Sequence, residues 1–144
     1  MTTFTTRMMI AAATVVAAAG VASAQTMRAE IPFTFRANGA VMTAGQYVVT
    51  LSTLEAGAPL LQIYNLENHR GALVRATVPQ DPPKQWRQTG AGILSFTCGA
   101  SRCSLSGVWN GKTGYPAYKL SSPKADPNEP VQITLVTLRS EKGD

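Results

Sequence analysis

Residues 31–51 read "IPFTFRANGAVMTAGQYVVTL". Apolar and polar side chains alternate, the chain turns at Asn38-Gly39, breaks again at Ala44-Gly45 and then alternates once more. A period of two places alternate residues on one face of a strand, so Ile31, Phe33 and Phe35 share a face, as do Tyr47, Val49 and Leu51. Pro32 has no N–H to give a ladder, which puts this strand at an edge or at its own beginning. Asn38-Gly39 tolerates positive φ, the requirement of a tight hairpin turn. Gly45 offers the same freedom just before Tyr47. Each of these residues has a reason in folding, and none requires one in chemistry.

Outward from that stretch the same pattern recurs. "LLQIYNL" (60–66) predicts a strand, residues 67–71 a turn, and "GALVRATV" (71–78) a strand with Ala72, Val74, Ala76 and Val78 on one face. Residues 79–92, with three prolines, predict an irregular loop. "ILSFTC" (93–98) and "CSLSGVW" (103–109) resume the alternation. After the turn "NGKTG" (110–114) come the short extended piece "YPAYKL" (115–120), a second Pro-rich loop over 121–130, and a last strand "VQITLVTLR" (131–139). No segment of the chain from residue 25 onward keeps helical spacing for three turns. Seven to eight short strands with frequent turns predict an all-β domain, either an antiparallel β-sandwich or a small β-barrel. A porin-like membrane barrel fits poorly, because its strands are longer and carry lipid-facing bands and aromatic girdles.

Residues 1–24 stand apart. Arg7 is their only charge, residues 8–19 are apolar except Thr14, and "ASA" (22–24) is an A-x-A site. This is the pattern of a secretory signal peptide cleaved after Ala24. A membrane anchor needs about 20 apolar residues, and this run is shorter and alanine-rich. Residues 25–144 are then one domain. Losing Arg7 leaves twelve basic residues against eight acidic ones, a net charge of +4. The basic residues are scattered, without the clustering and interleaved aromatics of a nucleic-acid binder. A periplasmic or secreted protein is expected, with an envelope or extracellular partner, no nucleic acid, and no integral membrane segment once the signal is removed.

The two cysteines lie in "SFTCGASRCSL" (95–105). An even count in an exported chain favours a disulfide. With Cys98 opposite Cys103, Phe96 falls opposite Leu105, so the register of a four-residue hairpin is self-consistent. Closing so short a loop contributes about 2 kcal/mol in the chain-entropy account. A redox pair would have two residues between the cysteines at a helix start, which is not the pattern here.

No catalytic residues, metal ligands or cofactor site are expected. His69 is the only histidine and sits in a turn beside Arg70. One titratable group without a nucleophile or an orienting acid is weak ground for catalysis. Glu30, Glu55, Glu67, Asp81, Asp126 and Glu129 are scattered and propose no facing pair. Two cysteines and a distant histidine lack the ligand count for zinc. The candidate binding surface is aromatic instead: Trp86 between Lys84 and Arg87 in the Pro-rich loop, and Tyr115 with Tyr118. Exposed rings on loops form platforms for sugars, peptides or a partner. Trp109 is expected to close the end of the core.

Taken together, Pro32-Phe33-Thr34-Phe35, Gly39 and Ala44-Gly45-Gln46-Tyr47-Val48-Val49 form a P-F-x-F…G…A-G-x-Y-x-V signature. Leu94, Phe96, Leu105, Val108 and Trp109 before the turn Asn110-Gly111-Lys112-Thr113-Gly114 form a second. In this pair, in this order, the chain resembles a family of small, exported, uncharacterised bacterial all-β proteins. It departs from the family pattern in carrying cysteines at the hairpin tip, and Tyr115-Pro116-Ala117-Tyr118 in place of a Leu-Pro-x-Ser stretch. The resemblance implies an exported β-fold and no activity. Three functions remain in view: a non-catalytic envelope or secreted protein with a structural or interaction role, a β-barrel carrier of a small apolar ligand, and an enzyme on envelope polymers. The second draws on a further set of apolar residues at Val48, Leu54, Leu60, Leu66, Val136 and Leu138.

Overall fold

A computed structural model describes residues 23–53, 59–122 and 128–140. The expected signal peptide up to residue 22, with Leu54, Glu55 and Asp126, lies outside these. Ten strands and one short helix follow in the order β1 (Ser23–Ile31), β2 (Phe35–Ala37), β3 (Ala40–Met42), β4 (Gly45–Thr53), β5 (Leu60–Asn65), β6 (Gly71–Gln80), α1 (Lys84–Thr89), β7 (Gly92–Cys98), β8 (Cys103–Trp109), β9 (Ala117–Leu120) and β10 (Gln132–Ser140).

Eight strands close into an antiparallel β-barrel, in the order β8-β7-β10-β1-β4-β5-β6-β9 and back to β8. The choice between sandwich and barrel is therefore decided for the barrel. Closure rests on β8, whose far edge is divided between two partners. Gly107 and Val108 pair with Lys119 and Tyr118 of β9. Ser104 pairs in parallel with Arg36 of β2. The β2–β3 hairpin thus sits on the half of β8 that β9 leaves open. Its turn is the expected one, with Asn38 at φ 50° and Gly39 at φ 81°.

The interior is filled. Nineteen buried residues, drawn from all ten strands, form one cluster. Ile31, Tyr47, Val49, Leu61, Ile63, Leu94, Phe96 and Val108 are fully buried, as in a close-packed interior. Phe35 meets Tyr47 and Phe96 edge-to-face at 5.4 and 5.2 Å, and Phe33 meets Phe96 at 5.0 Å. This is the favoured geometry of ring quadrupoles. The rings bind the hairpin and the β1–β2 link to the barrel core.

Four sequence expectations need correction here. Ile31, Phe33 and Phe35 are not one strand: Ile31 ends β1, the chain breaks over residues 32–34, and Phe35 opens β2. All three side chains still reach the core. Residues 79–92 are not wholly irregular, since Pro79 and Gln80 pair with Tyr118 and Ala117 of β9, and residues 84–89 are helical. A register irregularity between Ala76 and Pro79 leaves Val78 half exposed, off the face it was expected to share. Val136 and Leu138 belong to the interior set, not to a second face, whereas Val48, Leu60 and Leu66 are half-buried.

The cysteine hairpin has the expected register: Cys98 faces Cys103 in a disulfide, and Phe96 faces Leu105. A bulge follows, in which Ser95 pairs with Gly107 and Ser106 is the extra residue. The Ser106 hydroxyl accepts a hydrogen bond from Thr97 Oγ1 at 3.0 Å and donates one to the Ser95 carbonyl at 3.2 Å.

Candidate functional site

Outside the barrel a second, smaller core forms from Trp86, Ile93, Trp109 and Ala117, with Leu135 against it. Helix α1 brings Trp86 there. The Pro83 carbonyl accepts the first amides, of Trp86 at 2.9 Å and Arg87 at 3.1 Å. Gly90 ends the helix at φ 70° in the left-handed conformation, which costs a glycine little. The indole needs room on the barrel wall, and Gly107 supplies it: a Cβ there would lie 3.3 Å from Trp86 Cη2. Gly92 to Phe96 of β7 is consequently buried on both faces, Leu94 and Phe96 inward and Ile93 outward under the tryptophans.

Beside this cluster opens a cleft of about 480 Å³, lined by Asp81, Pro82, Arg87, Gly90 and the β8–β9 connection from Trp109 to Pro116. Its volume is in the ~300–1,000 Å³ range of small-ligand sites. The walls are tied by short local bonds. Trp109 Nε1 donates to the Tyr115 carbonyl at 3.0 Å. The Lys112 amide donates to Asn110 Oδ1 at 2.9 Å, and the Tyr115 amide to the Lys112 carbonyl at 3.2 Å. On the other wall Arg87 Nη1 donates to the Pro82 carbonyl at 3.2 Å. Tyr115 is half exposed. The cleft therefore offers a phenol ring for stacking, with a carboxylate from Asp81 and a guanidinium from Arg87 for polar contacts.

The expected surface residues divide. Arg87 and Tyr115 line the cleft together. Lys84 is exposed on α1 but does not line it. Trp86 is a correction: it is 8% exposed and forms part of the outer core, not a platform. Tyr118 is a second correction, half-buried and packed against the barrel interior, because alternation along β9 turns Ala117 outward and Tyr118 inward. Trp109 is 3% exposed, buried as expected but in the outer core. Asp81 and Thr113 line the cleft with Arg87 and Tyr115, and no spacing in the sequence joins these residues.

His69 lies in the β5–β6 turn at φ 61°, exposed, its Nδ1 sharing a 3.1 Å hydrogen bond with the Tyr64 hydroxyl. Asn65 organises that turn: its Oδ1 accepts the amides of Glu67 at 2.7 Å and Asn68 at 3.0 Å. Among the described residues no group of three or more His, Cys, Asp or Glu side chains could hold a metal ion. Among them, too, no helix is long and apolar enough to cross a membrane. No family model matches the chain, and no curated protein or solved structure matches it either.

Proposed function

We propose that this chain is an exported, non-catalytic protein that acts in the envelope or outside the cell by binding through its outer surface, with the corner cleft as the contact. The observation that carries this reading is the contrast between a barrel interior packed with side chains and a cleft outside it walled by Tyr115, Arg87 and Asp81. The disulfide is compatible with export. The expected cleavage point falls within β1. Cutting after Ala24 removes two residues of that strand and leaves the pairs from Gln25–Leu51 to Ile31–Gly45 in place, so the register tolerates the processing. The resemblance to small exported bacterial β-proteins supports the same compartment.

The carrier is the second reading, since eight-stranded barrels hold small ligands elsewhere, but it needs interior space that the buried cluster occupies here. Native mass spectrometry of protein exported to a bacterial periplasm and purified without refolding separates the two. A bare monomer with the mass of residues 25–144 less two hydrogens is the expected result. A co-purified apolar molecule would put the carrier first. Turnover of an envelope polymer, abolished in His69→Ala or Asp81→Asn, would overturn both.

A further inference from the structure

The geometry points to a second site, at the tip of the disulfide hairpin, that takes a phosphate group. A groove of about 240 Å³ is lined by Thr34, Phe35, Arg36, Val41, Ser101, Arg102 and Cys103. It lies apart from the corner cleft and shares no residue with it. Arg36, Arg102, Thr34 and Ser101 are among its lining residues, and among the described residues no Asp or Glu lines it. Phe35 and Ala37 of β2 point into the core, so alternation turns Arg36 outward, next to Val41 across the β2–β3 ladder. Arg36 is half-buried there. The parallel pairing of Arg36 with Ser104 sets Arg102, two residues earlier, at the same end of the ladder.

The backbone of the loop that carries Arg102 is tied by local bonds. The Cys98–Cys103 bridge closes the hairpin. The Gly99 amide donates to the Arg102 carbonyl at 2.8 Å, and the Ala100 amide to Glu129 Oε2 at 2.6 Å. Glu129 is thus engaged by the loop amide beside Gly99 and does not line the groove. Guanidinium forks with hydroxyl donors match the oxygens of a phosphate, whereas a carboxylate presents only one planar edge. The groove is smaller than a drug-sized site, which suits a head group. The half-exposed Val41 gives an ester substituent an apolar wall. The phosphate comes either free or as the head group of an anionic lipid.

The test uses the oxidised, exported chain. Isothermal titration with inorganic phosphate at low ionic strength forms one arm, and co-sedimentation with phosphatidylglycerol vesicles against phosphatidylcholine vesicles the other. Arg36→Gln and Arg102→Gln are each expected to weaken binding by about tenfold to a hundredfold, the range of a lost charge-assisted hydrogen bond. Arg102→Lys keeps the charge but loses the fork and falls between. Arg75→Gln, on exposed β6, is expected to change little. Circular dichroism confirms folding, and Arg36→Lys replaces Arg36→Gln if the latter unfolds. Saturable phosphate binding assigns the free anion; binding to phosphatidylglycerol vesicles alone assigns the lipid head group. Absence of binding in both arms overturns the proposal. So does an equal loss in Arg75→Gln, which would mean diffuse attraction by net charge, or a loss confined to one arginine.

Discussion

The two cores of this molecule are built on different plans. The inner one draws nineteen residues from ten strands, most of them by alternation, with the bulge at Ser106 shifting the pattern in β8. The outer one has four buried residues, two of them tryptophans, and depends on a helix of six residues. A slip of one residue in any barrel strand would turn its whole apolar set outward, so the inner core is strict about register. In the outer core no repeat is at stake. Two large rings are set against a glycine gap at Gly107 and the outward side of β7. The first plan holds the fold, and the second shapes a surface beside it.

The largest effect expected from that contrast is at Phe96, which touches Phe33 and Phe35 at the middle of the interior. Phe96→Ala should cost about 3–5 kcal/mol, the range for losing a core aromatic, measured by urea denaturation followed by circular dichroism. A loss under about 1 kcal/mol would mean the interior is not tightly packed, and would bring the carrier reading forward. Trp86→Ala should come second, at about 2–3 kcal/mol, less than a fully enclosed aromatic because the outer core is small. Its signature is local. Amides of α1 should lose protection from hydrogen exchange while those of β4 and β5 keep theirs. Equal loss in both places would show that the two cores are one cooperative unit.

The same contrast explains what the sequence could disclose. Period-two alternation writes the inner core directly into the chain, so Tyr47, Val49, Leu51, Phe96 and Leu105 are legible one by one. So are the Asn38-Gly39 turn and the cysteine register, because each is a relation between near neighbours. Helix α1 is not legible: "KQWRQT" has one apolar residue in six, and no periodicity can be read from one ring. Its burial is decided by Gly107, Trp109 and Ala117 of β8 and β9, all more than twenty residues beyond Trp86. Barrel closure is hidden for the same reason, since the β1–β10 and β6–β9 pairings depend on the sum of strand twist and stagger rather than on any local signal. The start of β1 was masked by its neighbour in sequence, the signal-like segment, although Met27, Ala29 and Ile31 alternate correctly. The cleft joins Asp81, Arg87, Thr113 and Tyr115 across two loops, a meeting that only the fold arranges.

Removing the disulfide sits between the two cores in kind and below them in size. Cys98→Ser with Cys103→Ser should lower stability by about 2 kcal/mol, since the loop released from the unfolded chain is short. The barrel spectrum should persist, because Phe96–Leu105 and the pairs beyond them hold the hairpin. Loss of the native fold on mild reduction would show instead that the bridge sustains the β2–β8 contact, and with it the hairpin that completes the core.

The smallest effect on stability is expected at Tyr115, and there the comparison becomes sharpest. The ring is half exposed, yet the residue anchors the cleft through its main chain, since Trp109 Nε1 bonds to its carbonyl oxygen. Tyr115→Ala removes the ring and leaves that acceptor in place. The stability change should therefore stay within about 0.5 kcal/mol, as for a surface site free of special contacts, and Trp109 fluorescence should be unaltered. Any ligand held by the cleft should nonetheless bind more weakly, because the stacking face is gone while the walls remain. A destabilisation above about 1 kcal/mol would assign the ring to the outer core. The cleft would then be a seam in the packing rather than a surface shaped for contact.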